Sequence, residues 1–285
     1  MMNNQTNFPF YIKKYELKPI IKWNGGKRWL APYLNEIYKN YKNYRMVEPF
    51  CGSLSISLKC QAEKALLNDI NPYLISFYKW VKSGLIINIP LYHSKDLFSH
   101  YKKLYNEMIK NNQYDCKNGA SMFYYLASTC YGGIRFNNTK MINSPFGYRV
   151  RKIFSKDFYQ HELLFTNWDF ENKDFEDLYI QNNDFVYIDP PYYNVGFSKY
   201  YEKDFTLQDH IRLCNWISKY DVPTIISNEY SNEIIELYKN YNFEFIFIKG
   251  KRSIGTRFGD RVHKEILAYK NIKNFDTAIF KNILF

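Results

Sequence analysis

The stretch DFVYIDPPYY, residues 184–193, places an aspartate, two prolines and two tyrosines directly after a run of apolar residues. We predict that Asp184 to Ile188 form a β-strand and that it ends at Asp189, because proline cannot donate to a β-ladder. Residues before proline favour extended backbone, so the Asp189 side chain should be held rigidly and point out of the sheet. One turn would then combine a carboxylate that accepts hydrogen bonds, a stiff backbone and an aromatic ring.

Two further motifs follow predicted strands. In VEPFCGSL, residues 47–54, a glycine lets the backbone approach a ligand, and the following helix start adds a positive dipole. In LLNDINPY, residues 66–73, Asp69 stands where nucleotide-binding sheets hold a ribose diol, although a helix cap before Pro72 is an alternative. Because ligands bind beyond the carboxyl ends of strands in open α/β sheets, the three motifs together predict one site.

The sequence lacks two motifs that would indicate a phosphate-bearing cofactor. Neither G-x-G-x-x-G nor G-x-x-x-x-G-K-[ST] occurs, which disfavours a dinucleotide with a pyrophosphate. A cofactor with an adenosine and no phosphates fits better, and we expect S-adenosylmethionine. Its sulfonium methyl group is already strongly electrophilic, so the protein need only activate the acceptor.

Alternating strand and helix patterns predict an α/β fold with a Rossmann-like, mostly parallel sheet. Apolar runs of strand length occur at 45–50, 64–67, 163–166, 185–188, 223–227, 243–248 and 266–269. Helical patterns occur at about 26–39, 53–62, 72–82, 207–219 and 231–241. The basic loop KGKRSIGTRFGDR between the last two strands is too short and too polar for a crossover helix, so we expect the last strand to be antiparallel.

The alternation of strands and helices fails between residues 84 and 156. Helical segments rich in Tyr and Leu are followed there by the basic stretch YGGIRFNNTKMINSPFGYRVRK. We predict that 84–156 is a smaller, mainly helical insertion, and that 1–83 and 157–285 together form the α/β domain.

The charge distribution favours a polyanionic partner. The net charge is +11 and the pI is about 9.1. Basic residues concentrate at 131–156 and at 249–264, on either side of the Asp189 turn. Solvated surface loops would explain one such cluster, but two of them make nucleic acid the better interpretation.

Cysteine spacing and hydropathy limit the cellular compartment. The five cysteines form no CxxC pair, which indicates free thiols in a reducing compartment rather than a zinc site. No apolar run reaches the length of a membrane span, and the first residues lack the pattern of a signal peptide. We therefore expect an intracellular protein, cytoplasmic or nucleoid-associated, or in the host cytoplasm if it is viral.

Taken in order, the motifs resemble those of DNA adenine-N6 methyltransferases of the Dam type, the D12 class. The resemblance depends on IKWNGGKRWL at 21–30, VEPFCGSLSISL at 47–58, LLNDINPYLI at 66–75 and IDPPYY at 188–193. INSPFGYR at 142–149 is similar to the family's target-recognition stretch, and VPTIISN at 222–228 and KRSIGTRFGDRVHKEILAYK at 251–270 are similar to its carboxyl-terminal motifs. The family implies a methyltransferase sheet that carries a target-recognition insertion.

The resemblance implies methyl transfer from S-adenosylmethionine to the N6 amine of an adenine flipped out of a duplex. This amine is a poor nucleophile, because its lone pair is delocalised into the ring. The Asp189 carboxylate and the Pro190 carbonyl would accept its two N–H bonds and draw the nitrogen towards tetrahedral geometry. Pro191 would stiffen the turn, Tyr192 would stack on the base, and no metal is expected. An Asp189 side chain buried inward in a salt bridge would contradict this mechanism.

The resemblance also implies a cofactor pocket formed by Trp23, Lys27, Phe50, Asp69, Asp169, Phe170 and Asp189. Lys27 would reach the methionine carboxylate and Asp69 would hold the ribose hydroxyls. Phe50 and Phe170 would flank the adenine. Leu54 stands where the family often has a second glycine, so either its bulk narrows the pocket or the helix starts one residue earlier.

For DNA binding, the resemblance implies residues of the insertion. Arg135 is the best candidate to read a guanine edge through a bidentate pairing. Asn137 and Pro145 lie in the same predicted hairpin. The residues expected to hold phosphates are Lys140, Arg149, Arg151 and Lys152. The turn YGGIRFN is shorter than the family's usual version, and a GATC-like target is expected by analogy alone.

The expected partner is double-stranded DNA, with a cognate restriction endonuclease as a second partner and a monomer or weak dimer acting on the DNA. An RNA or cytosine-N4 methyltransferase is an alternative, although those enzymes usually carry Asn or Ser at the position of Asp189. The intact IDPPYY motif and Asp69 disfavour a DNA-binding protein with a decayed site. The missing phosphate loop disfavours a nicotinamide-dependent oxidoreductase.

Overall fold

The computed structural model describes residues 16–148, 154–193, 205–251 and 262–285. The strands in these residues are β1 (Arg45–Glu48), β2 (Ala65–Asn68), β3 (Trp168–Glu171), β4 (Asp184–Ile188), β5 (Thr224–Glu229), β6 (Glu244–Lys251) and β7 (Val262–Lys270). They form one seven-stranded sheet in the order β3-β2-β1-β4-β5-β7-β6. β7 runs antiparallel to both neighbours, and the strands from β3 to β5 pair in parallel. The predicted α/β fold with an antiparallel last strand is therefore confirmed.

Helices connect most of these strands. They are α1 (Ala31–Tyr38), α2 (Ser55–Cys60), α3 (Pro72–Lys82), α4 (Lys95–Lys110), α5 (Lys117–Thr129), α6 (Tyr159–Phe165), α7 (Leu207–Ile217) and α8 (Asn232–Asn240). Among the helices described, none is both long and apolar enough to cross a membrane.

Local capping determines where two helices near the site begin. The Asn71 side chain accepts a hydrogen bond from the backbone N–H of Leu74 at 3.0 Å, and Pro72 stands in the first turn of α3. Thr206 and Asp209 form a reciprocal capping box at the start of α7. Both helix starts, at Asn71 and Thr206, line the same cavity beside the ends of the strands.

Two predicted elements were wrong. The apolar run at 163–166 was expected to be a strand, but it belongs to the end of α6, and the strand follows at Trp168–Glu171. A short apolar run cannot by itself distinguish a strand from the buried face of a helix. The helix expected from residue 26 begins only at Ala31, with Pro32 in its first turn, where the missing N–H of proline costs no helical hydrogen bond.

The order of the strands creates a crevice between β1 and β4. From β1 the chain moves outward to β2 and β3, then returns to add β4 on the other side of β1. Val47 on β1 pairs with Val186 on β4, so the loops after these two strands start at the same height. Such a switch point is where open α/β sheets bind ligands.

The sheet is buried on both faces. Phe185 and Tyr187 of β4 belong to one hydrophobic cluster, while Val186 and Ile188 belong to the other. Alternate side chains of a strand point to opposite faces, which explains why β4 is apolar from Phe185 to Ile188. The polar side chains therefore stand at the two ends of β4, with Asp184 at its start and Asp189 directly after Ile188.

The described residues of 84–156 pack on the sheet domain and share its hydrophobic core. Phe77 of α3 contacts Phe123 of α5 with ring centroids 5.7 Å apart. After α5, antiparallel bridges join Cys130 with Phe146 and Phe136 with Ile142, so residues 130–146 form a hairpin, hereafter the recognition hairpin. Asn106 of α4 holds it by accepting from the N–H of Ile142 at 2.8 Å and donating to its carbonyl at 3.2 Å.

Candidate active site

The Asp189 side chain stands at the end of β4 between two polar partners. The Lys27 ammonium lies 2.9 Å from Oδ1 and donates to Oδ2 at 3.0 Å. Ser227 Oγ on β5 donates to Oδ1 at 2.8 Å, and the Tyr187 hydroxyl lies 2.9 Å from the same Oγ. Burial raises the pKa of the Asp189 carboxyl, and the positive charge of Lys27 opposes this rise.

The ion pair between Lys27 and Asp189 bears directly on the mechanism expected from the sequence. Both residues line a small cavity of about 50 Å³, and 17% of the Asp189 side chain is exposed. The pair therefore lies in a cavity wall rather than inside the sheet. A carboxylate has about four lone-pair sites, so Asp189 can accept a further hydrogen bond while it contacts Lys27 and Ser227. Asp189 is therefore not an acid buried inward. Lys27 and a substrate amine would both have to use its carboxylate as a hydrogen-bond acceptor.

A larger cavity of about 880 Å³ adjoins the small one. Phe50 lines both cavities, and the turn contributes Asp189 to the small one and Pro191 to the large one. The large cavity has the size of sites that bind small molecules. The Asp189–Pro191 turn therefore borders both cavities.

Trp23, Lys27 and Phe50 meet at the small cavity, which is what their predicted role as cofactor residues would need. Gly52 lies beside them with a φ of +45°, and a Cβ on it would come within 3.0 Å of Trp23 Cδ1. Only glycine fits this position without moving the indole. Leu54, where the family often has glycine, is left-handed at φ +61°, fully buried, and directly precedes α2.

Asp69 is fully buried beneath the loop that follows β1. Its Oδ2 accepts from the backbone N–H of Gly52 at 3.1 Å, and its Oδ1 accepts from that of Asn71 at 2.9 Å. Burial raises the pKa of Asp69 to about 6. Asp69 therefore joins the loops after β1 and β2, and the cap of α3 is Asn71. Its expected contact with a ribose stays a prediction.

The structure does not bring Asp169 and Phe170 to either cavity. The Asp169 side chain is 68% exposed on β3 and faces Lys82 at 3.9 Å. Phe170 is buried in the core, with its ring stacked on Tyr78 at 5.5 Å. Both residues stand within β3, whereas a ligand is reached from the loop beyond the strand's end. These positions do not support their predicted role as cofactor residues.

The loop after β3 contributes side chains that sequence reasoning missed. Asp174 and Phe175 line the large cavity, and Phe175 packs against Phe50 with ring centroids 5.6 Å apart. Arg212 of α7 also lines this cavity and forms an ion pair with Asp174 at 3.0 Å. The signal was present, because the dipeptide Asp-Phe at 169–170 recurs at 174–175.

Glu48, the last residue of β1, is a buried acid in the wall of the small cavity. Its Oε1 accepts from the backbone N–H of Ser57 at 2.9 Å and from the Ser57 hydroxyl. Burial raises the pKa of Glu48 to about 7, against the hydrogen bonds from Ser57 and with a contribution from the negative charge of Asp189.

This raised pKa predicts a pH-dependent effect of Glu48→Gln on stability. The folded state favours the protonated form, so the stability that Glu48 contributes is fully present below its ordinary pKa of 4.5 and is lost as pH rises through about 7. Glutamine stays neutral. The free energy of unfolding of the variant, taken relative to that of the unmodified protein, should therefore rise by about 3 kcal/mol from pH 4.5 to pH 8. Urea unfolding at both pH values measures this. Glu36→Gln, an exposed acid on α1, is the control, and an equal difference at both pH values would contradict the prediction.

The recognition hairpin contains Arg135, Asn137, Lys140 and Pro145. The Arg135 backbone N–H donates to Ser144 Oγ at 2.6 Å, and its side chain is partly exposed. The Asn137 side chain accepts from Met141 N at 2.9 Å and from Thr139 N at 3.0 Å, so it organises the turn. This turn role accounts for Asn137 without a DNA contact.

Two other members of the predicted DNA-binding set take part in the hairpin. Lys140 has a φ of +62° and lines the large cavity. The Pro145 carbonyl accepts from the N–H of Tyr131 at 2.9 Å, across the base of the hairpin. The remaining predicted phosphate contacts, Arg149, Arg151 and Lys152, lie outside the described residues.

The small cavity offers the polar groups that an amino-acid moiety would need. Asn24 Oδ1 lines it and is buried without a hydrogen-bond partner among the described residues. Such an acceptor suits an ammonium group, and the Lys27 ammonium nearby suits a carboxylate. The residues present therefore fit the methionine part of the expected cofactor.

Comparisons with known proteins identify a matching family and several relatives. A family model described as D12 class N6 adenine-specific DNA methyltransferase matches residues 23–254. The type II methyltransferase M.MjaIII of Methanocaldococcus jannaschii is 31% identical over 268 residues, which cover 82% of this chain and 92% of the relative. The type II methyltransferase M1.LlaDCHI of Lactococcus lactis subsp. cremoris is 28% identical over 270 residues, or 87% and 93% of the two chains. The DNA adenine methylase of Haemophilus influenzae is 28% identical over 278 residues, or 90% and 94%.

Proposed function

The chain belongs to the D12 class of N6 adenine-specific DNA methyltransferases, and we propose that it moves the methyl group of S-adenosylmethionine to an adenine flipped out of a short duplex site. The observation that supports this most strongly is the Asp189 carboxylate, held by Lys27 and Ser227 in a turn that borders two cavities. A cofactor that reaches from the large cavity into the small one would pass this turn, where a flipped base could meet its methyl group.

Asp189 and Pro190 are the proposed acceptors for the N–H groups of the adenine amine. The charge of Lys27 opposes protonation of Asp189, which keeps the carboxylate available as an acceptor. Ser227 donates to Oδ1 and Lys27 donates to Oδ2, so the carboxylate is restrained at both oxygens and still has lone pairs for the amine of the base. Pro190 has no N–H, so its backbone offers a carbonyl without a competing donor. Holding the amine in this geometry directs its lone pair at the methyl donor.

The cofactor is proposed to bind along the loops after β1 and β3. Lys27 and Asn24 would hold the methionine carboxylate and ammonium groups, and Phe50 and Phe175 would flank the adenine ring. When bound, the cofactor supplies an electrophilic methyl group on its sulfonium. Phe175 takes the place in this proposal that sequence reasoning assigned to Phe170.

Residues 84–156 are the proposed target-recognition domain. Phe136 and Lys140 of the recognition hairpin line the large cavity, so the hairpin stands where a flipped base would enter. Basic residues of the segment, including those at 149–152, would neutralise phosphates and make binding dependent on salt. A GATC-like site, a restriction endonuclease partner and a monomer or weak dimer on DNA remain parts of the proposal. Relatives named as type II methyltransferases support the second of these.

A transfer assay tests the proposed function. The protein is incubated with S-adenosylmethionine labelled in the methyl group and duplex DNA, and the DNA is digested to nucleosides. Label in N6-methyladenine is expected. Label only in 4-methylcytosine, or only when RNA replaces DNA, would refute the proposal.

Arg135→Ala tests direct reading of the target. Loss of a bidentate contact to guanine should cost about 1–3 kcal/mol at one base pair and relax the choice of base there. Methylation rates on a set of duplexes, each changed at one position of the preferred site, measure this. Arg135→Lys keeps the charge without the planar fork and is the matched control. A uniform loss on all duplexes in Arg135→Ala, with recovery in Arg135→Lys, would make Arg135 a phosphate contact instead.

A further inference from the structure

Another buried acid lies behind the Asp189 turn. The Tyr192 hydroxyl donates to Glu265 Oε2 at 3.1 Å. Glu265 is on β7, directly opposite Glu229 of β5, and is only 3% exposed. Desolvating a carboxyl group is costly, so a buried acid usually has a specific task.

Gly250 of β6 provides the space that Glu265 occupies. A Cβ built on Gly250 would come within 2.5 Å of Glu265 Cδ and 2.7 Å of its Cγ, and closer still to Oε1. The φ of Gly250 lies outside the left-handed region, so the backbone there does not itself require glycine. The missing side chain therefore serves to seat the Glu265 carboxyl group.

Tyr192 is thereby held from two directions. Its hydroxyl binds Glu265, and the Lys27 ammonium lies 4.7 Å from the centre of its ring. A tyrosine ring has two side-chain torsions, and a hydrogen bond at its far end restricts both. Lys27 also contacts Asp189, so the ring and the catalytic carboxylate are oriented by one connected set of side chains.

We propose that Glu265, seated by Gly250, is a positioning residue that fixes the Tyr192 ring in the plane needed to stack on the flipped adenine. The inference rests on the proposed function, in which Tyr192 performs that stacking. Stacking on an aromatic ring depends on the ring's plane, so a ring oriented before the base arrives loses less freedom on binding. Glu265 would act through Tyr192 and would not touch the base.

Four variants test this proposal with two kinds of duplex. Turnover is measured on duplexes with adenine at the target position, and flipping is measured on duplexes that carry 2-aminopurine there, whose fluorescence rises when the base leaves the stack. Tyr192→Phe removes only the hydroxyl, and Glu265→Ala removes its acceptor. Each should lower turnover at saturating cofactor about 10-fold and reduce the fluorescence rise, with the KM for the cofactor unchanged. Glu265→Gln keeps an acceptor and should restore most of the activity. Gly250→Ala, which displaces the carboxyl group, should resemble Glu265→Ala.

The double variant Gly250→Ala/Glu265→Ala separates positioning from general damage to the sheet. If Gly250 serves only to seat Glu265, the double variant should be no more than about twofold worse than Glu265→Ala alone. Multiplied losses in the double variant, or unimpaired turnover and fluorescence in Tyr192→Phe, would overturn the proposal. Tyr192→Ala checks the underlying function separately. Unimpaired turnover in that variant would remove the stacking role itself, whatever Glu265 does.

Discussion

Replacing Asp189 with alanine is expected to lower turnover by about 10³- to 10⁴-fold, while labelled cofactor and DNA still bind. The carboxylate is the only charged acceptor in the Asp189–Tyr192 turn, and Ser227 and Lys27 already hold it in place. Without it, the adenine amine keeps its lone pair in the ring. Single-turnover methylation at saturating cofactor and DNA measures the chemical step separately from binding.

Two variants sharpen the result at Asp189. Asp189→Asn keeps the shape and one acceptor oxygen but removes the charge, so its loss should be smaller than that of Asp189→Ala. Ser227→Ala leaves the carboxylate and removes one hydrogen bond to it, so its loss should be smaller again. Turnover within about 10-fold of the unmodified protein in Asp189→Ala would mean that the amine is activated elsewhere.

Replacing Lys27 with methionine is expected to lower kcat/KM by about 10²- to 10³-fold at neutral pH, because removing one member of a buried ion pair leaves the other charge uncompensated. The pKa of Asp189 is raised by burial, and Lys27 opposes that rise. Without Lys27 the pKa of Asp189 rises further, and a larger share of the carboxyl is protonated at neutral pH. The acidic limb of the pH–rate profile should therefore move to higher pH, with activity partly recovered in alkaline buffer.

The same Lys27→Met variant should bind the cofactor more weakly, because the proposed partner of the methionine carboxylate is lost. Equilibrium binding of labelled cofactor measures this effect apart from the pH profile. Lys42→Met is the matched control, since Lys42 is exposed and precedes β1, at the opposite end of the strands from Asp189. An unshifted acidic limb in Lys27→Met would show that Lys27 does not influence the ionisation of Asp189.

Features that depend on neighbours along the chain could be predicted from the sequence. β4 and its turn followed from an apolar run that ends at two prolines, and α3 followed from Asn71 and Pro72. The left-handed backbone at Gly52 likewise belongs to a motif that was recognised. An element was predicted wrongly where neighbouring residues give no clear signal. The run at 163–166 is an example, because its apolar residues suit a helix as well as a strand.

By itself, the sequence determined the family, the α/β sheet and the turn that carries Asp189, because turn and strand chemistry act over a few residues. Only the tertiary structure decided what surrounds that carboxylate. Lys27 and Ser227 reach Asp189 from positions 162 and 38 residues away in the chain. Packing places Phe175 rather than Phe170 in the wall of the large cavity, and it brings Glu265 within hydrogen-bond distance of the Tyr192 hydroxyl. Side-chain alternation shows that a strand has two faces, but the order of the strands and the packing of the loops decide which residues meet at its end.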